Sequence, residues 1–107
     1  MSKPRILVTG ATGKTGAAVV EQLIQASWPV RALVRRHDQR SARLERMGAE
    51  VVVADLFDPD QLLGALRGVQ RAYYVPPFQP YASQAALAFA TAARESRLEA
   101  VVQLSQW

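Results

Sequence analysis

The sequence predicts an α/β fold, a doubly wound sheet of five parallel strands in the order 3-2-1-4-5. Three observations carry that prediction. Short apolar, mostly β-branched runs alternate with amphipathic stretches along the whole chain. The first apolar run passes directly into "TGATGKTG", a glycine-rich turn that opens the first helical stretch. Four helices or helical connections separate the five strands, and right-handed crossovers between parallel strands lead to a doubly wound order.

Arg5 to Val8 reads as a short buried strand. Gly13 to Ala26 reads as a helix whose core stripe is Val19, Val20, Leu23 and Ile24, and Trp28-Pro29 breaks it. Val30 to Val34 is the second strand. Ser41 to Met47 is a short basic helix with Gly48 as its stop. "EVVVAD", residues 50–55, is the third strand, and its unbroken β-branched run reads as buried on both faces. In "DPDQLLGALRG" Asp58 is placed to cap, Pro59 suits the first helical position and Gly68 fits the stop. "RAYYV" is the fourth strand and "PPFQP" a loop. Ala82 to Glu95 is an alanine-rich helix, and "AVVQL" is the fifth strand. Without repeats, linkers or low-complexity tracts, residues 1–107 read as one domain, expected to be the N-terminal part of a larger fold. An uncovered fifth strand would leave an apolar edge that favours self-association.

Composition narrows the chemistry. Half of the residues are apolar, and there is no cysteine, which excludes disulfides, thiolate metal sites and cysteine nucleophiles within these residues. The single histidine, His37, sits in a polar arginine-rich turn and reads as a solvated loop residue. The net charge of +4 comes largely from "VRALVRRHDQRSARLERMG". That stretch is either a solvated helix and loop or the rim of an anionic-ligand site. Basic and aromatic residues do not interleave there, which argues against nucleic acid. No apolar run is long enough for a signal-peptide core or a membrane span, so a cytoplasmic protein is expected.

"TGATGKTG" holds two competing phosphate signatures. Gly13-Lys14-Thr15 is how a nucleoside-triphosphate loop ends, but that loop must open on a glycine at position 8, which is Val8. The spacing Gly10-x-x-Gly13-x-x-Gly16 meets the requirements of a dinucleotide turn. One glycine permits a positive φ, the second lets main chain approach a pyrophosphate, and the third allows close packing of the helix. Amides at the helix start then donate to the anion.

"VTGATGKTG", "VRALVRR", "VVVADLFDPDQLLGALRGV" and "VVQLS", in that order over essentially the whole chain, resemble the NmrA-like branch of atypical short-chain dehydrogenases/reductases, which are NAD(P)-binding Rossmann proteins. The resemblance implies that Gly10, Thr12, Gly13, Lys14, Thr15 and Gly16 contact the cofactor. It places Asp55-Leu56 beside the adenine, although Asp55 would serve equally well as a local cap. It sets Val75 and Pro76, in "VPPF", against the nicotinamide ribose; Phe78 and Tyr81 would line a substrate mouth or simply pack. An NAD-preferring site carries an acid after the second strand, whereas this chain has Arg35 and Arg36. A guanidinium pairs with a 2'-phosphate, so NADP(H) is expected over NAD(H), with Lys14 as an additional cation.

Short-chain reductases commonly use a Tyr-x-x-x-Lys pair for proton transfer. Here Tyr73, Tyr74 and Tyr81 are followed four residues later by Pro77, Phe78 and Ala85, and the only lysines are Lys3 and Lys14. Ser105 is the remaining weak match to a catalytic position. Two functions stay open: an NADPH-dependent oxidoreductase acting on a quinone or carbonyl acceptor, and a non-catalytic NAD(P) sensor that contacts a regulatory protein.

Overall fold

A computed structural model describes residues 4–74 and 82–103. The elements are β1 (Ile6–Val8), α1 (Lys14–Gln25), β2 (Val30–Val34), α2 (Gln39–Met47), β3 (Glu50–Val53), α3 (Pro59–Ala65), β4 (Arg71–Tyr74), α4 (Ala82–Glu95) and β5 (Ala100–Gln103). Every ladder is parallel and the sheet order is β3-β2-β1-β4-β5, as the sequence predicts. The chain winds outward from β1 to β3, then crosses back to β4. The direction of winding therefore reverses between β1 and β4, where open α/β sheets bind ligands.

Strand periodicity divides the core in two. Ile6, Val8, Val30, Ala32 and Val34 face Val20 of α1 and Leu44 of α2. Leu7, Leu33, Ala72 and Tyr74 face Leu62 of α3 and Phe89, Ala92 and Ala93 of α4. Alternate residues thus feed opposite layers, and a strand covered on both sides reads as a continuous apolar run. Burying each large side chain contributes roughly 1.5–3 kcal/mol. Tyr74 stacks on Phe89 with centroids 4.7 Å apart. Its hydroxyl is buried without a hydrogen-bond partner among the described residues, and desolvation pushes its pKa up.

One expectation needs correcting. The third strand is not buried on both faces: Glu50 and Val53 are exposed, and Val51 and Val52 are only half-buried. It is an edge strand with β2 as its one neighbour, where the predicted order puts it, and its β-branched run does not encode how far its faces are covered there.

Local signals explain most element ends. Asp58 caps α3 by accepting from the Asp60 and Gln61 amides, and Gly68 turns the chain at φ 74°. Helix α2 begins two residues before the predicted Ser41. The Asp38 carboxylate accepts from the Arg40 and Ser41 amides, while the Ser41 hydroxyl accepts from the Asp38 amide. That reciprocal box uses serine where glutamate or glutamine is usual. Arg31 ties the lower edge together, donating through Nε to Glu50 Oε1 at 3.0 Å and through Nη1 to the carbonyls of Ala65 and Arg67. It thereby satisfies carbonyls that the end of α3 leaves open. None of the helices among the described residues is long and apolar enough to cross a membrane.

Helix α1 is followed, just past its cap Ala26, by a backbone position that favours glycine. Ser27 has φ 66°, and the next amide, of Trp28, donates back to Leu23 O at 2.9 Å. Ser27→Gly is expected to stabilise the protein by roughly 0.5 kcal/mol, the left-handed penalty of about 1–2 kcal/mol less glycine's extra chain entropy of about 0.5–1 kcal/mol. The urea midpoint checks this; a lower midpoint refutes it.

Candidate dinucleotide site

Parallel strands put the residues that follow each of them along one edge of the sheet. After β1 the chain passes through buried Thr9, whose amide donates to Tyr73 O at 3.1 Å, and turns at Gly10 with φ 59°. The Gly13 amide donates to Gly10 O at 3.0 Å and closes the turn. A Cβ on Gly16 would lie 2.0 Å from that same oxygen and 3.0 Å from Ala11 Cα. A Cβ on Gly13 would stand 3.3 Å from it. The three glycines therefore do different work: a left-handed turn, an open approach, and contact between helix and turn.

The start of α1 is chemically open. Asp38 and Asp58 cap α2 and α3, but the cap of α1 is Gly13, with no side-chain hydrogen bond and no acid in the first turn. The amides of Lys14, Thr15 and Gly16 find no acceptor among the described residues. Three parallel donors at the positive end of a twelve-residue helix suit an anion. Thr12 is half-buried, whereas Lys14 and Thr15 are exposed.

After β2, Arg35 and Arg36 are exposed, and neither forms an ion pair among the described residues. Asp38 is the one acid of this connection, and the α2 cap consumes it. One carboxylate oxygen accepts from two amides, and the other accepts from Arg40 Nη2 at 3.2 Å. The Ser41 amide above all, with Arg40 adding to it and desolvation opposing, holds the Asp38 carboxyl below the usual carboxylate range. It stays ionised and turned into the helix.

After β3, Asp55 Oδ1 accepts from the Phe57 amide at 2.9 Å, and the Asp55 amide donates to Gln61 Oε1. Of the two roles the sequence left open, the local cap is present, and the second carboxylate oxygen has no hydrogen-bond partner among the described residues. Leu56 is half-buried and packs on the α3–α4 core. Val75, Pro76, Phe78, Tyr81 and Ser105 lie outside the described residues.

Sequence reading missed one feature. A groove of about 350 Å³ runs from the glycine turn down between α1 and α2. Lys14, Ala17, Ala18 and Glu21 line one wall, and Arg40, Arg43, Leu44 and Met47 the other. Both sets have the spacing i, i+3, i+4, i+7, which marks one face of a helix. That periodicity was available in the sequence, but not the fact that the two faces meet.

The profile of the NmrA-like family matches residues 2–100. The chain belongs to the NmrA-like family. The NAD(P)H azoreductase of Xenophilus azovorans is 41% identical over 90 residues, covering 83% of this chain and 31% of that protein. An NmrA-like family domain-containing oxidoreductase of Cladobotryum sp is 43% identical over 70 residues, 64% of this chain and 21% of that protein. The NADPH complex of a quinone oxidoreductase from Escherichia coli superposes with a TM-score of 0.83 at 26% identity, over 92% of this chain and 35% of that one. The NADP(H) complex of a Citrobacter sp. triphenylmethane reductase gives 0.77 at 26% identity, over 94% and 37%. The chain thus spans about a third or less of these relatives' length.

Proposed function

We propose that this NmrA-like chain is the NADP(H)-binding part of an oxidoreductase that passes hydride to a quinone or carbonyl acceptor. The open amides of Lys14, Thr15 and Gly16 hold the pyrophosphate, with the Gly10–Gly13 turn giving it room to approach. Asp55 and Leu56 flank the adenine, and Val75 and Pro76 the nicotinamide ribose. When bound, NADPH supplies the hydride; these residues bind and orient it. Relatives named for an azo substrate, a quinone and a triphenylmethane dye support a conjugated, electron-poor acceptor.

The observation that carries the cofactor assignment is the connection after β2. Its two cations are exposed and have no carboxylate partner among the described residues, while its only acid is spent on the α2 cap. A ribose 2'-phosphate meets guanidinium there, and a bare ribose finds no free carboxylate. One charge-assisted hydrogen bond contributes roughly 1.5–3 kcal/mol, so NADPH should bind about ten- to a hundredfold more tightly than NADH. Fluorescence titration of the purified protein with both cofactors tests this; equal affinities or a preference for NADH overturn it. Oxidation of NADPH by quinones and aldehydes then separates an enzyme from a sensor that binds without turnover.

A further inference from the structure

The stretch from Asp55 to Gln61 is tied to itself by hydrogen bonds that run from the end of β3 into the first turn of α3. Asp55 Oδ1 accepts from the Phe57 amide at 2.9 Å, and the Asp58 amide donates back to Asp55 O at 3.1 Å. Gln61 closes the circuit. Its Oε1 accepts from the Asp55 amide at 2.9 Å, and its Nε2 donates to Asp58 Oδ2 at 3.2 Å. Only one orientation of that side-chain amide serves both neighbours, because the Asp55 amide can only donate and an ionised carboxylate can only accept. Asp58 Oδ1 meanwhile takes the Asp60 and Gln61 amides at 3.0 and 3.3 Å, so the helix cap and the turn share the same side chains. Pro59 fixes a backbone angle between them, and the wholly buried Leu62 anchors α3 in the core.

The network leaves Asp55 asymmetric. One carboxylate oxygen is taken by the Phe57 amide, and the other has no hydrogen-bond partner among the described residues. Asp55 is exposed, and an exposed aspartate that nothing held would exchange among its staggered rotamers. We propose that Gln61 is a positioning residue for the adenine end of the cofactor site. It holds the Asp55 backbone from α3, so that the open carboxylate oxygen stays in register for a base that carries an amino group. That oxygen has no proton to give, so a base with a carbonyl at the same position meets repulsion in place of a bond. The inference rests on the adenine role given to Asp55 above and adds the residue through which α3 controls it.

The test measures dissociation constants for NADPH and for its deamino analogue, whose hypoxanthine carries a carbonyl where adenine has the amino group. The wild type should bind NADPH about ten- to a hundredfold more tightly than the analogue. Gln61 is exposed, and Gln61→Leu keeps the helix preference while removing both hydrogen bonds. In that variant the ratio should fall about three- to tenfold, as Asp55 spends less time in the competent orientation. The double variant Asp58→Asn/Gln61→Glu moves the amide to position 58 and the carboxylate to position 61. The bond to the Asp55 amide is kept, the other re-forms with its direction reversed, and asparagine caps a helix as well as aspartate does. Its ratio should return to within about twofold of the wild type. A Gln61→Leu ratio equal to the wild type's overturns the role of Gln61 and leaves the reading of Asp55 standing. Equal losses for both ligands, the mark of a merely loosened α3, overturn it as well. A double variant that stays at the Gln61→Leu ratio overturns the hydrogen-bond pair as the cause. A wild type that binds both ligands equally removes the adenine role of Asp55 and the inference with it.

Discussion

Gly16→Ala is expected to lower the free energy of unfolding by roughly 3 kcal/mol or more, at the upper end for overpacking. The added methyl would sit 2.0 Å from Gly10 O and 2.7 Å from Gly10 C, both backbone atoms. A side chain would rotate away, but a carbonyl held in a turn cannot. Relief requires α1 to move off the sheet or the turn to unwind, and either disturbs the contacts of Val20 with the core. Gly13 provides the contrast. Its φ of −75° and ψ of 171° are open to any residue, and its Cβ would meet Gly10 O at 3.3 Å. Gly13→Ala should therefore cost only about 1 kcal/mol of stability, near the difference between glycine and alanine at a helix cap. It should weaken NADPH and NADH alike, because its methyl occupies the approach to the pyrophosphate. Urea unfolding and cofactor titration of both variants separate these roles. A Gly16→Ala protein with a wild-type midpoint would contradict the packing distance. Normal binding by Gly13→Ala would mean the turn is not the phosphate cradle.

Arg35→Asp should reverse cofactor preference. The substitution removes a charge-assisted bond of roughly 1.5–3 kcal/mol and places a carboxylate where it repels the 2'-phosphate. The same carboxylate accepts hydrogen bonds from the hydroxyls of an unphosphorylated ribose. The two effects together should move the ratio of NADPH to NADH affinities about a hundred- to a thousandfold, or some 2.7–4.1 kcal/mol. Arg35 is exposed, so stability should change by less than about 0.5 kcal/mol. Wild-type preference should also weaken as salt rises, since exposed charges are screened. An Arg35→Asp protein that still prefers NADPH would move the phosphate contact to other residues.

Much of this molecule is legible residue by residue. The P-loop reading fails on Val8 alone, because a β-branched strand residue stands where the loop needs glycine. Asp58-Pro59 announces α3, since both residues act within a few positions of themselves. Gly48 and Gly68 mark turns that the structure places at positive φ. Asp38 was harder to read. A carboxylate three residues past Arg35 fits a ribose or a helix cap equally well, and its hydrogen bonds to Arg40 and Ser41 decide between them.

The sequence by itself determined the strand order, the glycine turn and the cations after the second strand. Those features depend on period, short-range sterics and residue type, all local along the chain. Tertiary structure decided what depends on residues far apart in sequence. It left the β-branched third strand half-exposed at the edge where the predicted order puts it, because packing from other elements covers its faces only in part. It brought Arg40 and Arg43 across from Lys14, since parallel crossovers lay α1 and α2 side by side on one face. Charge in a helix can be counted from sequence, but the wall it faces exists only after the sheet has wound.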